Sequence, residues 1–247
     1  MFRHRHAVLF DLFGTLLDVV PGRLPVVEVG GVAYPSTYPW WAEHLDAYVG
    51  PMNPANVLTA LRATYRRDDD PTIELPSRLR FRALLQHLGC EASVLDEAAV
   101  VLSRAHMTAI GDATAVPNSH RIVLEAARRV GAVGIVTNFD DTAGAYAILA
   151  RHGLLERVDV VSVSEAVGRR KPHPLPVIAA LRSLGVPPER AVLIGDSASA
   201  DVQAAHAAGV RAVLIRREGV EASGAEDAVI VARLSDVPRA LGWGTVG

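Results

Sequence analysis

Ala7-Val8-Leu9-Phe10-Asp11-Leu12-Phe13-Gly14-Thr15-Leu16 is the stretch on which the fold turns. Four apolar residues end at a carboxylate and then a glycine, which reads as a strand buried on both faces and followed by a turn. The pattern returns at 134–137, 158–161 and 191–195, and in weaker form at 211–215 and 228–231. Helix-length segments lie between, at about 119–130, 141–152, 173–184 and 199–208, and Gly131, Gly153, Gly185 and Gly209 stand where helix C-caps belong. Strands alternating with helices of this length predict an α/β fold, a doubly wound parallel sheet with helices on both faces.

Residues 18–116 break the alternation. Proline-rich stretches at 21–39 and 51–54 bracket 40–48, and amphipathic helical patterns cross about 55–67, 76–88 and 94–109. This predicts a mainly helical domain at 18–116 inserted into a core made of 1–17 and 117–247. The alternation from Val26 to Tyr34 around Gly30-Gly31 predicts a small hairpin. Asp68-Asp69-Asp70 before Pro71 reads as a solvated turn rather than a metal site. Asp18 marks the entry to the insert, where a carboxylate would cap a helix.

Composition narrows the function. Of 247 residues 50% are apolar and 21% charged, which fits a globular protein with a sizeable core. A net charge of −2 gives no ground for nucleic-acid or membrane binding. No apolar run reaches transmembrane length, and the run after the basic start Arg3-His4-Arg5-His6 stops at Asp11, too soon for a signal peptide, so a cytoplasmic location is the default expectation. The lone Cys90 excludes an internal disulfide and CxxC zinc sites, and reads as a small apolar residue at the helix end Leu88-Gly89. The sequence carries no signal of oligomeric state.

Positive charge comes from 24 arginines and one lysine, Lys171, in Lys171-Pro172-His173-Pro174. Lysine is a point charge on a slim stem where arginine is a broad fork, so a crowded site would accept only the first. In open parallel sheets the reactive crevice lies beyond the carboxyl ends of the strands. Asp11, Thr137, Lys171 and Asp196 all fall at such ends. A carboxylate nucleophile, a hydroxyl, an ammonium and a second carboxylate are the parts for phosphoryl transfer through an aspartyl intermediate. Asp11 would attack, Asp11 and Asp196 would hold Mg²⁺, and Thr137 with the amides of residues 12–15 would hold phosphoryl oxygens. Lys171 would offset charge on nucleophile and phosphate.

These residues resemble the haloacid dehalogenase-like (HAD) hydrolase superfamily over nearly the whole chain. Asp11-Leu12-Phe13-Gly14-Thr15-Leu16 matches its first motif, Val136-Thr137-Asn138 the second and Lys171-Pro172 the third. Gly195-Asp196-Ser197-Ala198-Ser199-Ala200-Asp201 matches the fourth. The resemblance implies a Rossmann-like core with a type 1 helical cap at 18–116. It implies Asp11 as nucleophile, and Asp196 and the Phe13 carbonyl as further magnesium ligands with Asp201 in support. Gly14, Thr137, Asn138 and Lys171 would bind the phosphate of a small phosphorylated substrate. Phosphatases of the superfamily usually carry an aspartate, the general acid and base, where this chain has Phe13. A good leaving group, a substitute acid or a different reaction would each explain the change. Metal-independent 2-haloacid dehalogenases also lack that aspartate, but generally lack the acidic pair that Asp196 and Asp201 form here. Phosphonate-cleaving relatives need a cap lysine, and none exists here. A catalytically weak HAD domain acting as a binding module is the remaining alternative. His173 is a candidate substitute acid or a loop-capping residue. Trp40 or Trp41 would face substrate or pack within the cap, and Arg169-Arg170 would aid an anionic substrate or be solvated.

Overall fold

The computed structural model describes residues 6–20, 22–64, 70–216 and 224–243. In chain order the first elements are β1 (Ala7–Phe10), β2 (Asp18–Val19), β3 (Val26–Val29) and β4 (Val32–Pro35). Helices α1 (Tyr38–Val49), α2 (Pro54–Ala63), α3 (Ser77–His87) and α4 (Leu95–Ala113) follow, then β5 (Thr114–Ala115), α5 (Asn118–Val130), β6 (Ala132–Thr137) and α6 (Thr142–Arg151). The rest comprises β7 (Val160–Val163), α7 (Ser164–Val167), α8 (Leu175–Leu184), β8 (Ala191–Gly195), α9 (Gln203–Ala207), β9 (Arg211–Ile215), β10 (Val229–Val231) and α10 (Val237–Ala240). Two compact units result, Met1–Asp18 with Ala115–Gly247, and Val19–Thr114.

The first unit is an α/β core. Its six-stranded sheet has the order β10-β9-β8-β1-β6-β7, and each pairing is parallel. β1 pairs with β6 on one side and β8 on the other, so the strand order reverses at β1 and opens a crevice at its carboxyl end. Every residue of β1, β6 and β8 is buried, as a strand covered on both faces requires. Gly153, Gly185 and Gly209 take left-handed conformations at helix ends. Gly131 does not: its backbone is extended, and a Cβ there would come within 2.3 Å of the His6 carbonyl oxygen.

The second unit is mainly helical. Pro54 opens α2 behind Asn53, whose side chain accepts from Ala55 N–H at 2.9 Å, a proline-first, asparagine-capped start. Its core gathers Trp41, Leu45, Val57, Phe81, Leu84, Leu85 and Leu102 from all four helices. Trp41 is fully buried, edge-on to Tyr38 and Phe81 at 4.9 and 5.4 Å, whereas Trp40 is 41% exposed. The hairpin forms across Gly30-Gly31 and extends to Pro35. Cys90 closes α3, donating its N–H to Leu85 O at 3.0 Å. Asp70 accepts from Thr72 N–H and Oγ1 in a turn around Pro71; Asp68 and Asp69, like residues 65–67 of the expected second helix, lie outside the described residues. Asp18 caps no helix. It opens β2, because the β-branched Val19-Val20 that follow favour an extended chain, and the next helix starts only at Tyr38.

A polar chain threads this helical core. Trp41 Nε1–H donates to Thr37 Oγ1 at 3.2 Å, and the Thr37 hydroxyl shares a hydrogen bond with His106 Nδ1 at 2.7 Å. Burial first, and the Arg80 cation second, lower the His106 pKa to about 4. The folded state therefore holds a neutral imidazole whose unfolded form charges near pH 6.5. Stability is full above pH 6.5, declines as pH falls toward 4, and the loss totals roughly 2–3 kcal/mol. His106→Asn keeps an acceptor and does not titrate, so urea melts between pH 7 and 4 should be flatter than wild type by that amount. Equal slopes would show that His106 is not the titrating group.

Candidate active site

Asp11 leaves the carboxyl end of β1, its N–H held by Ile194 O at 2.8 Å. The chain then folds into a tight turn, with Gly14 N–H donating to Leu17 O at 2.8 Å and Leu17 N–H to Leu12 O at 2.8 Å. Gly14 has φ +82°, and a Cβ there would lie 2.1 Å from Asp196 Oδ2. Only glycine satisfies both conditions, and it brings the turn onto the end of β8. Gly195 does similar work within β8, where a Cβ would sit 2.2 Å from Asp201 Cγ. A wide π turn at Ala198–Val202 carries Asp201 back toward the sheet, where its Oδ2 accepts from Ser197 N–H at 3.0 Å.

Lys171 fills the centre. Its Nζ donates to Asp11 Oδ1 at 2.5 Å, Asp201 Oδ1 at 2.6 Å and Val136 O at 2.7 Å, so all three ammonium hydrogens are used. The side chain is 1% exposed. Burial works against its charge, but Asp11 and Asp201 outweigh that and hold the ammonium above its ordinary range. Asn138 orients the loop around it, accepting from Lys171 N–H at 2.7 Å and donating Nδ2–H to Lys171 O at 2.9 Å. Neither this clamp nor the direct Lys171–Asp201 pair was foreseen from sequence, since each joins residues about thirty positions apart with no local signal.

Asp11, Asp196 and Asp201 offer carboxylate oxygens that all lie within 4.8 Å of one another. Burial first, opposed by Lys171 and reinforced by Asp201 and Asp196, pushes the Asp11 carboxyl up to about 7. With all three ionised, one ammonium leaves two negative charges in a largely buried cluster. A divalent cation matches that excess, and hard carboxylate donors suit Mg²⁺. The residues fit such an ion.

The other expected residues are placed as follows. Thr137 ends β6 and is buried. Of the amides of residues 12–15, those of Gly14 and, at 3.4 Å, Thr15 are used within the turn itself. Phe13 is half-buried and stacks on Phe139, with ring centroids 5.1 Å apart. His173 caps its own loop, Nδ1 accepting from Leu175 N–H at 3.1 Å. Arg169 and Arg170 are half-buried rather than fully solvated. No described helix is long and apolar enough to cross a membrane.

The chain matches known proteins in sequence and in fold. The family description "haloacid dehalogenase-like hydrolase" matches residues 6–209. The chain is 31% identical over 224 residues to the phosphoserine phosphatase of Thermus thermophilus, covering 85% of this chain and 88% of the relative. It is 29% identical over 213 residues to the phosphoglycolate phosphatase of Xanthomonas campestris pv. campestris, covering 85% and 83% of the two chains. The structure of a 2-haloacid dehalogenase from Pseudomonas syringae pv. tomato superposes with a TM-score of 0.76 at 21% identity, over 97% of this chain and 100% of that one, a likeness of fold. With the motif order, the parallel sheet and the acidic cluster around Lys171, these matches identify the chain as an enzyme of the haloacid dehalogenase-like hydrolase family.

Proposed function

We propose that this hydrolase is a magnesium-dependent phosphatase acting on a small organic phosphate through an aspartyl-phosphate on Asp11. The observation that carries the reading is the cluster of three carboxylates around one buried ammonium. A carbon-attacking dehalogenase has no use for the extra negative charge, which would raise the cost of every ionised carboxylate nearby. A silent binding module has no use for a nucleophile bonded to Lys171. The phosphatases among the relatives point the same way.

In this mechanism Asp11 Oδ2 forms a bond to phosphorus as the ester P–O bond breaks, and the substrate alcohol leaves with that electron pair, taking its proton from solvent. Lys171 meanwhile holds Oδ1, fixing the carboxylate and screening the approach of a dianion. At about 4 Å such a charge contact is worth roughly 4 kcal/mol at an effective dielectric near 20. Thr137 Oγ1 and the amides of Leu12 and Phe13 hold phosphoryl oxygens, with Gly14 keeping the turn open for them. Asn138 keeps Lys171 in place. The Asp11 and Asp196 carboxylates and the Phe13 carbonyl would hold Mg²⁺, and Asp201 would support it; the ion would neutralise phosphoryl charge. Water then attacks phosphorus, and Asp11 is released with inorganic phosphate. The unit at Val19–Thr114 would serve as the cap that selects substrate.

The test is phosphate release from a panel of metabolite phosphates. Release is expected with Mg²⁺, falling at least about 100-fold in EDTA. Release unaffected by EDTA would remove the metal from the mechanism, and halide release from haloacids would transfer the chemistry to carbon.

A further inference from the structure

The turn that carries Asp11 holds a phenyl ring, not a polar group, two residues after the nucleophile. Phe13 lies between Asp11 and Gly14, the residue packed against Asp196. Its ring stacks on Phe139 at 5.1 Å with an interplanar angle of 24°. Phe139 directly follows Asn138, the clamp on Lys171, and its backbone is pinned. Its N–H donates to Ser164 Oγ at 2.8 Å, and its carbonyl accepts from Glu165 N–H at 3.2 Å. The pair is therefore a fixed apolar face, and Phe13 remains partly exposed.

Among the described residues, Lys171, Asp201 and Thr137 offer no proton to a departing oxygen. Lys171 has given all three ammonium hydrogens to Asp11, Asp201 and Val136 O. Asp201 accepts from Lys171 on Oδ1 and from Ser197 N–H on Oδ2, so both its oxygens are engaged as acceptors. The Thr137 hydroxyl is far too weak an acid. An alkoxide expelled here would leave unprotonated, at a cost on the order of 10²–10⁴ in rate. A phenolate or enolate carries its charge into a conjugated system, and its flat face matches the aromatic stack.

Resting on the phosphatase reading, we propose that the Phe13–Phe139 stack makes this enzyme selective for phosphate monoesters of conjugated alcohols, phenols above all, over those of simple alkyl alcohols. Asp11 forms the bond to phosphorus as the phosphorus–aryl oxygen bond breaks, and the electron pair leaves on the phenolate, which takes its proton from solvent. Water then cleaves the aspartyl-phosphate, giving inorganic phosphate and the original carboxylate.

The experiment compares kcat/KM for ring-substituted phenyl phosphates and alkyl phosphates with Mg²⁺, in wild type, Phe13→Asp and Phe139→Leu. Wild type should lose activity steeply as the leaving phenol becomes less acidic, with alkyl esters at least about 100-fold below phenyl phosphate. Phe13→Asp, which restores a proton donor, should flatten the series. Phe139→Leu should keep the slope but narrow the aryl-over-alkyl ratio by about threefold to tenfold. Comparable rates for alkyl and aryl esters, or a shallow slope in wild type, would overturn the proposal while sparing the phosphatase reading. No release from any ester, aryl included, would bring down both. Should Phe13→Asp not fold, the wild-type slope and the Phe139→Leu ratio decide alone.

Discussion

Asp11→Asn is expected to lower turnover on the order of 10⁴-fold or more while leaving the fold intact. Asparagine has the same shape and keeps an oxygen that accepts from Lys171 Nζ, so the contact at 2.5 Å survives in neutral form. The amide is not a nucleophile, and nothing else at the end of β1 replaces it. The substitution also removes one of the carboxylates that crowd one ammonium. Without metal that relieves like-charge repulsion, so the variant should melt about 2–4 °C above wild type in EDTA, the equivalent of roughly 1 kcal/mol. The extra stability conferred by Mg²⁺ should shrink, because a ligand has lost its charge. Kinetics and thermal melts with and without Mg²⁺ check all three. Activity within a hundredfold of wild type would exclude Asp11 as nucleophile.

Lys171 is expected to tolerate no cationic substitute. Three acceptors close on Nζ at 2.5–2.7 Å, in a space where the side chain is 1% exposed. A guanidinium is wider and planar, and its five donors cannot be met by three converging oxygens. Lys171→Arg should cost on the order of 10²–10³ in kcat. Lys171→Met isolates Asp11 and Asp201 in a buried site, and breaking such a pair costs about 3–5 kcal/mol. At about 2–4 °C per kcal/mol, its melting temperature should fall by roughly 6–20 °C, with partial recovery as pH falls below about 7, because losing Lys171 removes the charge that opposes the upward shift of the Asp11 carboxyl. An active Lys171→Arg enzyme would show that charge alone, not shape, is required.

What the sequence made legible follows from physics that acts locally. β1, β6 and β8 are buried on both faces, so uninterrupted apolar runs announced them. β7 was expected two residues early, at 158–161, because Asp159 sits in the apolar run. Its carboxylate accepts from Val133 N–H and its own N–H donates to Val133 O, which anchors the chain before the strand begins. The helix expected at 199–208 starts instead with a π turn, because tertiary contact with Lys171 fixes where Asp201 must point. α4 runs to Ala113 rather than about 109, since Gly111 and Ala113 are buried and packing overrides the weak helical preference of Gly111. At the site, Asp11, Thr137 and Asp196 stand at or just past the ends of β1, β6 and β8, and Lys171 in the loop between α7 and α8, as their motifs implied. The Asn138 clamp and the Phe13–Phe139 stack were silent because each pairs residues far apart in sequence, with nothing local to mark the partner.

The chemistry assigned to Asp11 has a direct readout. Enzyme turning over phenyl phosphate with Mg²⁺ would be quenched in acid, digested and mapped by mass spectrometry. A phosphoryl group on the peptide containing Asp11, removed by mild alkali as an acyl phosphate is, and missing from Asp11→Asn, is the predicted result. Phosphate release with that peptide unmodified, or with phosphoryl on a serine or histidine elsewhere, would contradict the aspartyl-phosphate mechanism.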